Sequence, residues 1–337
     1  MKPNLFRTSL LTAAVAAACA LSPAYAQFAD RTIRVSNGVN QDHPVGNGVA
    51  KMTQCLAQKS GGRMKLQAFW GGALGGDLQA TQALRSGTQE MVVTSSSPLV
   101  GILPDLGVFD LPFLFANERE ADQVLDGAFG KYISDKMPGV NLVNLAWWEN
   151  GFRNLTNSRK PVTKWEDFQG VKVRVMQNNI FLDTFRTLGA NAVPMAFGEV
   201  FTALETRAID GQENPFVTID TSKFFEVQRY LSVTRHAYTP FMVLYSKPLW
   251  DKLSKDEQQA LSDCAIEGRD EQRRVSRSLS DRSLANLRAK GMQVNEITPA
   301  EQQRMRDQAR SVYEKHAGTI GAETVKRMQD TLAQIRK

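Results

Sequence analysis

Two arginines, Arg153 and Arg174, stand in segments that read as loop and strand rather than as charged helix. Arginine suits the capture of an organic acid, because its planar guanidinium carries a fork of donors that matches both oxygens of a carboxylate and stays charged at any physiological pH. In Val171-Lys172-Val173-Arg174-Val175-Met176 the valines alternate, so they share one face of a strand while Lys172 and Arg174 share the other. Arg174 then falls near the carboxyl end of that strand, where open α/β sheets bind their ligands. Arg153 follows Gly151 by two residues, and the polar run Gly211-Gln212-Glu213-Asn214-Pro215 comes after the second arginine. Either arginine alone reads more readily as a surface or salt-bridge residue. Together with the polar run they point to a carboxylate clamp, and to a ligand more than to a reaction.

Enzyme chemistry finds little support. The chain has no G-x-S-x-G elbow and no H-E-x-x-H pair. Gly71-Gly72-Ala73-Leu74-Gly75-Gly76 lacks the Lys-Ser/Thr ending of a phosphate loop and reads as a flexible strand-to-helix connection. The three histidines, His43, His236 and His316, are far apart and have no second metal ligand nearby, so neither a metal nor a cofactor is expected. The formal charge is +6, of which two units, Lys2 and Arg7, belong to the N-terminal leader. The densest basic stretch, residues 269–288, is interrupted by Asp270, Glu271 and Asp281, which fits a solvated helix face and not a nucleic-acid stripe.

That leader combines a short basic start, an apolar run from Leu10 to Leu21 and the small-residue site Ala24-Tyr25-Ala26. It reads as a signal peptide over residues 1–26, cleaved before Gln27, and directs the protein to the periplasm. Cys19 offers a lipoprotein alternative, which the absence of Leu from Ala16-Ala17-Ala18 disfavours. Beyond the leader two cysteines remain, Cys55 and Cys264; both lie in helical patterns, and a disulfide and two buried thiols are equally open.

The elements that must position the arginines follow from periodicity. A strand around Ile33-Arg34-Val35, a helix from about Gly46 to Gly61-Gly62, a strand over 64–69, a helix over 77–86 and a strand over 90–94 form a βαβαβ run. Such a run argues a mostly parallel sheet flanked by helices. Asn37, Asn40, Gln41 and His43 after the first strand, Asp77 and Gln79 at the second helix and Ser95 after the third strand are candidates to line one wall of a cleft; Trp148 and Phe197 are candidate apolar walls. His43 is equally able to order its turn, and a residue such as Asp77 is more often a plain helix cap. Capping pairs at Asn117/Glu120, Thr163/Glu166, Ser254/Glu257 and Thr298/Glu301 mark four helix starts. Residues 255–289 read as one helix of about 50 Å, shared by two domains or broken near Gly268. The exported chain is longer than the roughly 250–300 residues at which single cores stop growing, so two domains are expected. Their candidate crossings are Glu149-Asn150-Gly151 and Ala237-Tyr238-Thr239-Pro240.

Gly151-Phe152-Arg153-Asn154-Leu155-Thr156-Asn157, Phe168-Gln169-Gly170-Val171-Lys172-Val173-Arg174-Val175 and Asp210-Gly211-Gln212-Glu213-Asn214-Pro215 occur in that order. In this the chain resembles the extracytoplasmic solute-binding proteins of tripartite ATP-independent periplasmic (TRAP) transporters, the DctP family. Ser60-Gly61-Gly62 and Leu111-Pro112-Phe113-Leu114-Phe115 extend the resemblance over essentially the whole exported chain. It implies an α/β, two-domain, periplasmic-binding-protein-like fold, each domain a central sheet flanked by helices, with a long helix spanning both. The implied domains are 27–150 plus 239–279 and 151–238 plus 280–337. It implies a monomer that captures a small organic carboxylate, either a sugar acid (a uronate or aldonate) or a C4-dicarboxylate, and hands it to the small and large membrane subunits of a permease. Arg174 would pair with the carboxylate, Asn214 would hydrogen-bond the ligand, and Arg153 would add a second positive group. A binding subunit that serves a sensor or chemoreceptor with the same pocket is the alternative.

Overall fold

The long strands Leu142–Asn157 and Tyr230–Ser246 cross the middle of the molecule and fuse its two halves into one sheet. The structure is a computed structural model that describes residues 28–337; the expected leader, its cleavage point and Cys19 lie outside the described residues. In chain order the strands are β1 (Arg31–Asn37), β2 (Met64–Phe69), β3 (Met91–Ser95), β4 (Leu142–Asn157), β5 (Lys172–Val175), β6 (Asn191–Pro194), β7 (Gly211–Asn214), β8 (Tyr230–Ser246) and β9 (Gln293–Glu296). They lie in the order β2-β1-β3-β8-β4-β7-β5-β6, with β9 beside β8. The expected parallel βαβαβ run is there, β1 pairing in parallel with β2 and with β3. Helices flank both halves, which is the expected α/β architecture.

The two candidate crossings turn out to be opposite one another. Glu149 pairs with Pro240 and Gly151 with Thr239, across a bulge that leaves Asn150 unmatched. The expected strands ending near Trp147 and starting near Phe241 continue through this point, because bulges bend a strand while its ladder resumes beyond them. Direction matters here. Ser95, the last residue of β3, pairs with Phe241, and Asn214, the last residue of β7, pairs with Asn154. The carboxyl ends of the strands in both halves therefore point at the bulged middle, and one crevice serves both sets.

Helix starts follow the capping signals with one displacement. Asn117, Ser254 and Thr298 each accept a hydrogen bond from the amide of the Glu three residues on. The Thr163/Glu166 signal instead yields a 3-10 turn over Trp165–Phe168, because the Asp167 carboxylate, one residue later, accepts from the amides of Thr163 and Lys164. The long helix Lys255–Ala289 is unbroken at Gly268. Gly268 is small for another reason: a Cβ there would stand 2.8 Å from the Trp148 ring and 2.9 Å from the Gly48 carbonyl oxygen. Helices Pro44–Ser60 and Lys255–Ala289 thus cross closely, and the disulfide between Cys55 and Cys264 joins them at a Cα separation of 5.5 Å.

Apolar clusters fill each half. Ile33, Val35, Val49, Met52, Leu56 and Leu261 belong to one beneath β1 and β3, and Val171, Val173, Val175, Phe181, Phe185 and Met305 to one beneath β5. A third joins Leu106, Phe109 and Val124 to Val312, Ile320, Met328 and Leu332, so the C-terminal helices close over residues of the first half.

Candidate functional site

Where the strand ends converge, a cavity with ≈ 430 Å³ of empty space is lined by Gly38, Val39, Asp77, Val93, Ser95, Asn150, Arg153, Arg174, Met176, Phe197, Asn214, Thr218 and Phe241. Residues of both halves contribute. Gly38 and Phe197 also border a neighbouring surface pocket, lined by Asn40, Asp42 and residues 221–224.

Arg174 is held at the end of β5 by its own neighbours. Its Nε and Nη2 donate to the Met195 carbonyl oxygen at 2.9 and 2.7 Å, which fixes the plane of the guanidinium. Nη1 is buried and has no partner. Burial draws its pKa down to about 10, with Arg153 adding to that effect and Glu213, Asp77 and Glu199 opposing it, so the group is charged at neutral pH. Phe197 lies under the guanidinium at 5.9 Å, a favourable cation–π distance. A buried donor left unpaired costs about 1–3 kcal/mol, and a carboxylate arriving at Nη1 would recover it.

Arg153 is differently employed. Its Nε donates to Glu213 Oε2 at 2.5 Å and its Nη2 to Glu213 Oε1 at 2.9 Å, both side chains being shielded from solvent. Nη2 also reaches Asn214 Oδ1 at 3.1 Å, and His236 Nε2 lies 3.0 Å from Glu213 Oε2. Burial alone would raise the Glu213 carboxyl, but Arg153 and His236 hold it below its ordinary value. Arg153 borders the cavity as half of a neutralised pair and brings no spare positive charge. Asn214 is placed by Arg153 on one side and by Gln212 Oε1, 2.6 Å from its Nδ2, on the other.

The remaining expected residues divide. Asp77, Ser95 and Phe197 line the cavity. Asp77 opens helix Asp77–Arg85 at its first position, the cap being Gly76. His43 does not reach the cavity: Nδ1 accepts from the Val45 amide at 3.2 Å, capping helix Pro44–Ser60, and Nε2 meets Thr218 Oγ1 at 3.2 Å across the two halves. Asn37 is buried between strands, its Nδ2 facing the carbonyls of Val35 and Phe69. Trp148, expected as a cleft wall, is enclosed between Gly48 and Gly268 and donates to the Ala265 carbonyl oxygen at 3.0 Å; it serves the helix crossing. Sequence reasoning missed Asn150, Met176, Thr218 and Phe241. Met176 follows Arg174 by two and could have been found by continuing the strand alternation, whereas Thr218 reaches the cavity only through the tertiary fold.

Fold and cavity define a periplasmic-binding-protein-like molecule, with a ligand crevice where two sets of strand ends meet. Residues 35–319 match the model of the bacterial extracellular solute-binding protein family 7, DctP. The chain belongs to that family. Among solved structures, it is similar to the sugar acid binding protein from Advenella mimigardefordensis in complex with galactonate, at 44% identity and a TM-score of 0.90 over 91% of this chain and 99% of that one. A TRAP periplasmic solute-binding protein from Polaromonas bound to D-erythronate shares 35% identity, with a TM-score of 0.85 over 88% and 98%. The 2,3-diketo-L-gulonate-binding periplasmic protein of Escherichia coli is 35% identical over 79% of this chain and 81% of its own.

Proposed function

We propose that this protein captures a sugar acid in the cavity between its halves and delivers it, from the periplasm, to the membrane subunits of a TRAP transporter, acting as a binding protein and not as an enzyme. The observation that carries this reading is the unpaired Nη1 of Arg174, a buried charged donor beside the cavity. A carboxylate taken out of water needs charge-assisted hydrogen bonds to offset its desolvation. Asn214 and Ser95 would receive the polar remainder, and Phe197 would lie along the carbon chain. The galactonate and erythronate complexes of the similar proteins support the hydroxylated acids.

Capture would proceed by closure of two domains about the bulges at Glu149–Gly151 and the facing residues of β8. The proposed domains are 27–150 plus 239–279 and 151–238 plus 280–337. One segment departs from that division: Met328 and Leu332 of the C-terminal helix Ala322–Ile335 share a buried cluster with Phe109 and Val124, which supports moving this helix from the second domain to the first. Calorimetric titration with a panel of aldonates and uronates tests the reading. Micromolar or tighter binding of at least one acid is expected, with a loss of about 100-fold or more in Arg174→Ala, since truncating one side of a buried charge pair costs about 2–5 kcal/mol. Full affinity retained by Arg174→Ala would overturn it.

A further inference from the structure

The cavity contains more acceptors than its carboxylate anchor requires. Asn150 Oδ1 is buried without a partner while its Nδ2 is occupied by Thr239 Oγ1 at 3.1 Å. The Asp77 side chain lines the same space and forms no salt bridge among the described residues. Its position is set by the first turn of its helix and by close approach to Gly38, where a Cβ would stand 3.2 Å from Asp77 Oδ1. Burial raises the Asp77 carboxyl, with Thr94 and Arg174 pulling it back. On the donor side the cavity offers Arg174 Nη1, while Arg153 is neutralised by Glu213.

Acceptors need donors. A hydroxyl supplies a hydrogen to Asp77 or Asn150, whereas an ionised carboxylate is acceptor-only and would meet a second carboxylate in a poorly solvated space. Like charges about 5 Å apart at an effective dielectric near 20 disfavour binding by more than about tenfold. We propose that Asp77 sets the specificity of this site, accepting a hydroxyl of the ligand and excluding acids that carry a second carboxylate at the distal end. The ligand is then a polyhydroxylated monocarboxylate, and dicarboxylates of the succinate or aldarate type are rejected. This rests on the carboxylate reading of Arg174.

Matched pairs of acids test it: gluconate with glucarate, galactonate with galactarate, erythronate with meso-tartrate, and succinate alone, each titrated into the protein, Asp77→Asn and Arg174→Ala. The unaltered protein should prefer the monoacid of its best pair by at least about tenfold. Asp77→Asn should shrink that ratio at least about tenfold by gaining affinity for the diacid. A merely structural role for Asp77 would weaken both members equally, and an unchanged ratio overturns the proposal. So does equal binding of both members, or a preference for succinate, by the unaltered protein; these leave the Arg174 reading intact when Arg174→Ala abolishes binding. If the unaltered protein takes up no acid of the panel, the Arg174 reading fails and the Asp77 proposal with it. The preference of the unaltered protein is decisive even where Asp77→Asn does not fold.

Discussion

Arg153 and Glu213 form a bidentate pair shielded from water, with His236 against the same carboxylate oxygen and Phe185 packed edge-on to the imidazole at 5.1 Å. Such a pair adds little net stability over an apolar substitute, yet breaking it strands a charge. Glu213→Gln should lower the unfolding free energy at neutral pH by about 3–5 kcal/mol, measured by urea denaturation. The pH dependence has a definite sign. The Glu213 carboxyl is held below its ordinary 4.5, so its contribution is fully present above about pH 4.5 and is lost as pH falls through the folded value. The stability gap between the protein and the variant should close on acidification below pH 4.5; a gap that stays constant would show that the ion pair is not its source. Arg174 was legible from its strand alternation. The neutralisation of Arg153 was not, because Glu213 is 60 residues away in sequence and meets it only through the pairing of β4 with β7.

Helix Pro44–Ser60 lies against the first half of helix Lys255–Ala289, and glycines at positions 48 and 268 let the two backbones close on the Trp148 ring. The disulfide locks that contact across a sequence separation of 209 residues. Closing so long a loop restricts the unfolded chain most, so Cys55→Ser with Cys264→Ser should cost about 2–5 kcal/mol, read as a lowered melting temperature with ligand affinity little changed. An unaltered melting temperature would mean that the crossing is held by packing alone. Periodicity located these helices well, since their apolar positions and caps are local signals. It could not say why Gly268 leaves the helix unbroken. That depends on a ring from another element filling the space a side chain would occupy.

Across the whole molecule, hydrogen bonds are among the contacts that join the halves: His43 with Thr218, and Asn178 Nδ2 with Asp110 Oδ2 at 2.6 Å and with the Ser97 carbonyl oxygen at 3.0 Å. Burial pushes the Asp110 carboxyl up to about 7, against the pull of Ser97, Asn178 and Arg153. Hydrogen bonds of about 1 kcal/mol each are weak enough for a ligand bridging both walls to decide the balance between open and closed forms. Small-angle scattering should therefore give a smaller radius of gyration with a saturating sugar acid than without, and no contraction in Arg174→Ala. An equal radius in both conditions would rule out hinge closure.

By itself the sequence determined the family, the α/β class, the long helix and the place of Arg174 at its strand end, because alternation, caps and ordered motifs are properties of neighbouring residues. Ser95 was legible for the same reason, following a recognisable strand, whereas Asn214 was legible only through the motif that carries the family resemblance. Tertiary structure alone decided the single fused sheet, the disulfide, the removal of Trp148 and His43 from the cleft and the addition of Asn150 and Thr218 to it. It also turned the opening pair of arginines into one free donor and one neutralised partner. Charge balance in a buried cavity is a sum over groups that only folding brings together, and no local pattern records that sum.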